Sequence, residues 1–126
     1  MFKSIKNDSD IKEFLDKTNS LHDAYVLAVN FQNEGITKEA ENAHRIDPSR
    51  AKLSLRILVT SIWDAVVEIE FEELSQGQIK NGAWDDITNT SVIFDEENRI
   101  VWSDDSYADG NGSFVICGSM KWRIAK

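Results

Sequence analysis

The chain is short of several residue types on which special chemistry depends. It has one cysteine, Cys117, which excludes an intramolecular disulfide and a cysteine-ligated zinc site. A lone thiol is the usage of a reducing compartment, so a cytoplasmic location is expected. The two histidines, His22 and His44, lack any spaced carboxylate motif, so neither a metal nor another cofactor is expected. Pro48 is the only proline, and no Gly/Ser-rich linker or internal repeat interrupts the chain, which reads as one domain over residues 1–126. No apolar run approaches the roughly 18 residues of a membrane span. The opening Met1-Phe2-Lys3-Ser4-Ile5-Lys6 lacks the apolar core of a signal peptide, so no membrane role is expected. Basic residues are the scarce charge: 14 Lys and Arg stand against 22 Asp and Glu, for a net charge of −8. A nucleic-acid binder needs a basic patch to neutralise phosphates, and none is present. An acidic surface steers basic partners, although the same charge also simply keeps a small domain soluble.

With 41% hydrophobic and 29% charged residues, the chain has the makings of a packed core. Ile11, Phe14 and Leu15 fall at helical spacing and predict a helix over 8–18, capped by Asp8, Ser9 or Asp10. Residues 25–32 alternate, which predicts a strand with Tyr25, Leu27, Val29 and Phe31 inward. Segment 34–50 is polar, with a weak helix over Thr37 to Arg45 and a turn at Asp47-Pro48. Segments 51–61 and 65–74 form the clearest β signal. Odd positions must oppose odd ones there, which needs a three-residue loop or a bulge near Trp63-Asp64. Val59 should then face Val67 or Ile69, and Arg56 should face Glu70 or Glu72. Residues 75–89 read as a loop, and 91–103 as a hairpin that opposes Phe94 to Ile100 and Val92 to Trp102. A polar loop over 104–112 leads to a last strand with Phe114, Ile116, Met120, Trp122 and Ile124 on one side and Val115 and Cys117 on the other. Gly118 marks a bulge or bend in it. The fold class expected is α+β, mostly β. One N-terminal helix packs on a strongly bent antiparallel sheet, sandwich or roll-like, of about six strands. Phe14, Leu27, Leu55, Ile69, Phe71, Phe114 and Trp122 should be buried.

No motif carries catalysis. Ser and Thr are plentiful, but there is no nucleophile elbow and no phosphate-cradling glycine loop. His22 beside Asp23 suggests proton chemistry. Neighbours on an extended chain point to opposite faces, however, so a structural role at the junction outweighs a dyad. The stretch Asp105 to Gly112 fails the calcium-loop register, because the twelfth position is Ile116 rather than Glu. Cys117, mid-strand with no His nearby in sequence, reads as a packed or sheet-face thiol. Glu68, Glu70 and Glu72 make an acidic stripe, either an ordinary solvated sheet face partly neutralised by Arg56 or a docking surface for a basic partner. Trp63 and Trp84 lie in turns, where they either close the ends of a small core or anchor an interface. Trp84 is followed by Asp85 and Asp86, which completes a candidate partner-binding set of Glu68, Glu70, Glu72, Trp84, Asp85 and Asp86.

From Leu21-His22-Asp23-Ala24 the chain resembles a set of small bacterial proteins in which a short N-terminal helix meets a Leu-His-Asp-Ala/Ser junction and then alternating strands. Some of these are immunity proteins of toxin systems. The strands Leu53-Ser54-Leu55-Arg56-Ile57 and Val67-Glu68-Ile69-Glu70-Phe71, and the closing Met120-Lys121-Trp122-Arg123-Ile124, fit the same pattern. Residues 34–50 look like an insertion. The resemblance implies a non-enzymatic protein that binds and blocks a toxin, often a basic nuclease. Three functions follow in order: a non-catalytic protein-binding domain, a small-ligand binder using the concave side of the sheet, and an enzyme built from scattered carboxylates.

Overall fold

Helix α1 (Asp8–Thr18) forms where the apolar spacing places it, burying Ile11, Phe14 and Thr18. Its cap lies one residue earlier than expected. Asn7 accepts the Asp10 N–H at 2.9 Å, and the Asp10 carboxylate returns to the Lys6 N–H at 2.8 Å. Thr18 donates its hydroxyl to the Phe14 carbonyl at 2.7 Å, which satisfies the one polar side chain on the buried face. The computed structural model describes residues 1–80, 86–104 and 112–125.

The described strands are β1 (Lys3–Ser4), β2 (Ala24–Asn33), β3 (Ile36–Ala40), β4 (Ala43–Ile46), β5 (Ala51–Val59), β6 (Ala65–Gln78), β7 (Thr90–Phe94), β8 (Ile100–Asp104) and β9 (Phe114–Ala125). Seven of them form one antiparallel sheet in the order β2-β5-β6-β9-β8-β7, with β1 beside β9. Ala24 at the start of β2 exchanges both backbone hydrogen bonds with Ile87, just ahead of β7, at 2.9 and 2.6 Å. The two ends of the sheet therefore meet at one point, and the sheet curls into an incompletely closed roll. Phe14 of α1 packs edge-on against Trp122 with centroids 5.3 Å apart, and Phe71 packs against Trp102 at 5.7 Å. Leu55, Ile57, Val59, Val67 and Ile69 complete the core, as their alternation requires. The expected α+β, mostly β class is what the chain adopts.

Several expectations need correction. The β7–β8 register is the expected one, with Val92 opposite Trp102 and Phe94 opposite Ile100. The β5–β6 pair keeps odd opposite odd, but five residues link the strands, so Val59 faces Ala65 and Arg56 faces Glu68. The turn spans a 3₁₀ segment, Thr60–Ile62, followed by Trp63 and Asp64 in the left-handed region. Residues 37–45 form no helix. They lie in the exposed β3–β4 hairpin, which extends β2 and β5 beyond the sheet, since two alanines cannot hold a helix to a core. Strand β6 runs on to Gln78, into the segment expected to be a loop.

In β2 the expected inward set is exposed: an irregularity between Val26 and Ala28 inserts Leu27 and reverses the parity, so Tyr25 faces outward before it while Val29 and Phe31 keep the core face after it without being covered. Ala24 and Val26 face the core before it. Val29 and Phe31 share the face of Leu55 and Leu53 after it, at a margin where little covers them. Leu27 is thus half exposed rather than buried. Strand β9 reverses parity around Gly118: Val115 and Cys117 are buried before it, and Met120 and Trp122 after it, while Phe114 is only half-buried. The 81–85 segment with Trp84 and Asp85, and the loop over 105–111, lie outside the described residues.

Candidate protein-interaction site

The glutamate stripe lies on the outer face of β6, between β5 and β9. The register sets Glu68 between Arg56 and Arg123, Glu70 opposite Lys121, and Glu72 opposite Lys52. Arg123 donates its Nε–H to Glu68 at 2.7 Å, and the Arg56 Nε lies 3.5 Å from the same carboxylate. Lys121 reaches Glu70 at 3.2 Å and Glu72 at 3.4 Å. The hydrogen bond and charge of Glu70, reinforced by Glu72, hold the Lys121 ammonium above the usual lysine range. Phe2 lies over the same face, 4.4 Å from the Arg123 guanidinium carbon. Three glutamates therefore face Lys52, Arg56, Lys121 and Arg123, and the acidity read along β6 alone is matched across the sheet. Asp86 is half-buried beside Ile87, and β2 and β5 separate that segment from β6 in the sheet order.

The junction after α1 is built differently. Asn19, Ser20, Leu21 and Asp23 all take positive φ, and so do Trp63 and Asp64 in the adjacent β5–β6 turn. Left-handed backbone costs a non-glycine residue roughly 1–2 kcal/mol, so this clustering must be held by its surroundings. Leu21 is fully buried. Ser61 donates to the His22 carbonyl at 2.8 Å, Thr60 to the Asp23 carbonyl at 2.8 Å, and Thr90 to the Ser20 carbonyl at 3.0 Å. The His22 Nδ1 lies 2.6 Å from the Thr88 carbonyl, which can only accept, so this nitrogen carries the proton. The turn at Asp23 then brings its carboxylate to 3.4 Å from the His22 Nε2. The two side chains do approach each other, contrary to the expectation for an extended chain, because Asp23 is not extended.

Both side chains of this pair are about half exposed, and Asp64 is exposed. Trp63 closes nothing: it is 98% exposed. Sequence reading placed Trp63 in a turn but had no signal for its orientation. His44 sits on the exposed hairpin opposite Lys38. Burial, reinforced by the charge of Glu73, pushes the Cys117 thiol up to about 12. Among the described residues no three His, Cys, Asp or Glu side chains converge as metal ligands, and no helix is long and apolar enough to cross a membrane.

At the other end of β2 an open cleft of about 500 Å³ is lined by Val29, Phe31, Ile46, Leu53, Leu74 and Ile79, with no charged residue in its wall. No family model, curated protein or solved structure matches the chain.

Proposed function

We propose that the chain is a non-catalytic protein-binding domain that engages a basic protein through the junction surface of Trp63, Asp64, Asp23 and His22. The observation that carries this reading is Trp63, 98% exposed in a left-handed turn. Glycine or asparagine would suit that backbone better, and a ring in water contributes nothing to the core. Tryptophan is the residue most often found anchoring protein interfaces, and its face attracts arginine and lysine. Asp64 beside it and Asp23 on the adjoining loop add the charge that draws a basic surface, within a chain of net charge −8. An immunity-type role, neutralising a basic toxin, is the specific form of this proposal, and the resemblance at Leu21 to Ala24 supports it. Glu68, Glu70 and Glu72 contribute less, since bases already face them.

The test is binding kinetics against the product of the gene adjacent to this one. Trp63→Ala should speed dissociation about tenfold or more, as expected for an interface anchor worth over ~1.4 kcal/mol. Its circular dichroism and melting should stay unchanged. Unaltered kinetics in Trp63→Ala would remove the junction as the contact.

The uncharged cleft favours a second reading, a binder of a small apolar ligand, because its volume lies within the roughly 300–1,000 Å³ typical of ligand pockets. Fluorescence titration with an environment-sensitive apolar dye distinguishes it. Saturable one-to-one binding that Phe31→Lys abolishes supports a ligand site, and absence of binding excludes it.

A further inference from the structure

Strand β2 forms one margin of the sheet, and its sequence, Ala24 to Asn33, contains no charged residue and no proline. Sheet margins in monomeric proteins are usually protected by charges, proline, shortness or a covering element. The opposite margin, β7, is only five residues long and has α1 packed beside it. The β3–β4 hairpin carries Lys38, Glu39, His44 and Arg45. Among the described residues only Ala24 has a partner on the outer side of β2, through its bridge to Ile87. From Tyr25 onward no described strand pairs with the outer side, and Tyr25, Leu27, Val29 and Phe31 are each 43–58% exposed.

We propose that two copies of this chain associate by antiparallel pairing of their β2 edges about a two-fold axis at Asn30. Charge selects the occupant. Each copy carries a net −8, which opposes self-association through most of the surface, whereas this edge is uncharged along its whole length. Parity selects the register. Opposed residues in an antiparallel pair share a face. Val29 and Phe31 lie on the face of Leu55 and Leu53, and Ala28, Asn30 and Gln32 on the face of Arg56, Ser54 and Lys52. An axis at Asn30 sets Val29 of each copy against Phe31 of the other, Ala28 against Gln32, and Asn30 against its own counterpart. The pairing is apolar on one face and neutral on the other. It lies C-terminal to Leu27, where the bulge breaks the ladder. Val29 and Phe31 also line the apolar cleft, so the two clefts become neighbours and each covers part of the other's open margin.

Sedimentation equilibrium from micromolar to submillimolar concentration should show a monomer–dimer equilibrium. Asn30→Cys in a Cys117→Ser background should form a disulfide-linked dimer on mild oxidation. A residue on the axis faces its counterpart across ~4.5–5.5 Å between Cα atoms, within the range a disulfide spans. Val29→Lys and Phe31→Glu should each be monomeric alone and should associate when mixed, because the register sets the new ammonium of one copy against the new carboxylate of the other. A wild-type chain that is monomeric at every concentration overturns the proposal. So does a dimer that neither substitution weakens, since its contact would lie elsewhere. Neither result bears on Trp63, whose test uses a different protein.

Discussion

At the scale of single residues, Asp95 shows how much local hydrogen bonding a turn needs. Its carboxylate accepts the N–H groups of Glu97 at 2.9 Å and Arg99 at 2.8 Å, and the Arg99 Nε–H at 2.9 Å. Desolvation pushes this acid up, but the bonds from Arg99 and Glu97 outweigh it and hold it below the usual carboxylate range. A group depressed in the folded state stabilises the fold above its unfolded pKa, and that contribution is lost as pH falls through the folded value. Asp95→Asn should therefore unfold at lower urea than wild type near neutral pH, with the gap closing in acid; a gap of equal size at every pH would contradict the linkage. Cys117 is the opposite case, a group whose removal from water outweighs the one backbone hydrogen bond, from Ser119, that favours its charge. With its thiol pushed up to about 12, native protein should not react with a thiol reagent at pH 8, and one thiol should appear on denaturation. The sequence left Cys117 as either a packed or a sheet-face thiol, and the parity of β9 ahead of Gly118 is what buries it. The sequence did not suggest the approach of His22 and Asp23, which depends on one φ angle that no residue type there demands.

At the scale of elements, the bend of the sheet rests on a paired irregularity. Glu73 in β6 takes a φ of 55°, and burial parity reverses across it: Phe71 faces the core before it and Leu74 turns inward after it. Gly118 lies beside it in β9, where an added Cβ would come to 3.0 Å from the Glu73 Cβ. Glu73→Gly should stabilise the protein by about 1 kcal/mol by removing the left-handed strain. Gly118→Ala should destabilise it, and the loss should shrink in the Glu73→Gly background, because the crowding side chain is then gone. A double-mutant cycle by chemical denaturation measures that coupling, and additive effects would show that the two positions do not share the bend. Helix α1, β5 and β6 as far as Phe71 were legible because their periodicity is unbroken there, and the β7–β8 register was legible from its turn composition. Strands β2 and β9 were misread because each contains a reversal. Period-two reasoning carries a face assignment straight through a bulge, and only Gly118 advertised one. The hairpin over 36–46 was illegible for another reason: no face of it is buried, so no hydrophobic pattern was written into it.

At the scale of the whole molecule, a net charge of −8 coexists with a sheet face on which acids and bases are matched. Among the described residues Asp8, Glu34, Asp47, Asp64, Glu73 and Glu96 are exposed acids without an ion-pair partner, so apart from Glu73 this unmatched charge lies at helix ends and turns rather than along β6. Two charge reversals should separate these roles. Glu70→Lys with Glu72→Lys sets two new cations against Lys121, which loses both its partners, so the melting temperature should fall, and fall further at low salt. Asp64→Lys breaks no pair, so the melt should be unchanged within error. If the proposed basic partner docks at the junction, Asp64→Lys should slow association severalfold at low ionic strength. The difference from wild type should fade as salt shortens the Debye length from ~10 Å at 0.1 M to ~3 Å at 1 M. Stopped-flow association across a salt series, beside thermal melts of both variants, reads both effects. A rate that Asp64→Lys leaves unchanged at every salt concentration would exclude steering at the junction. Slowing by the Glu70 and Glu72 reversals alone, with their fold intact, would move the contact to the outer face of β6.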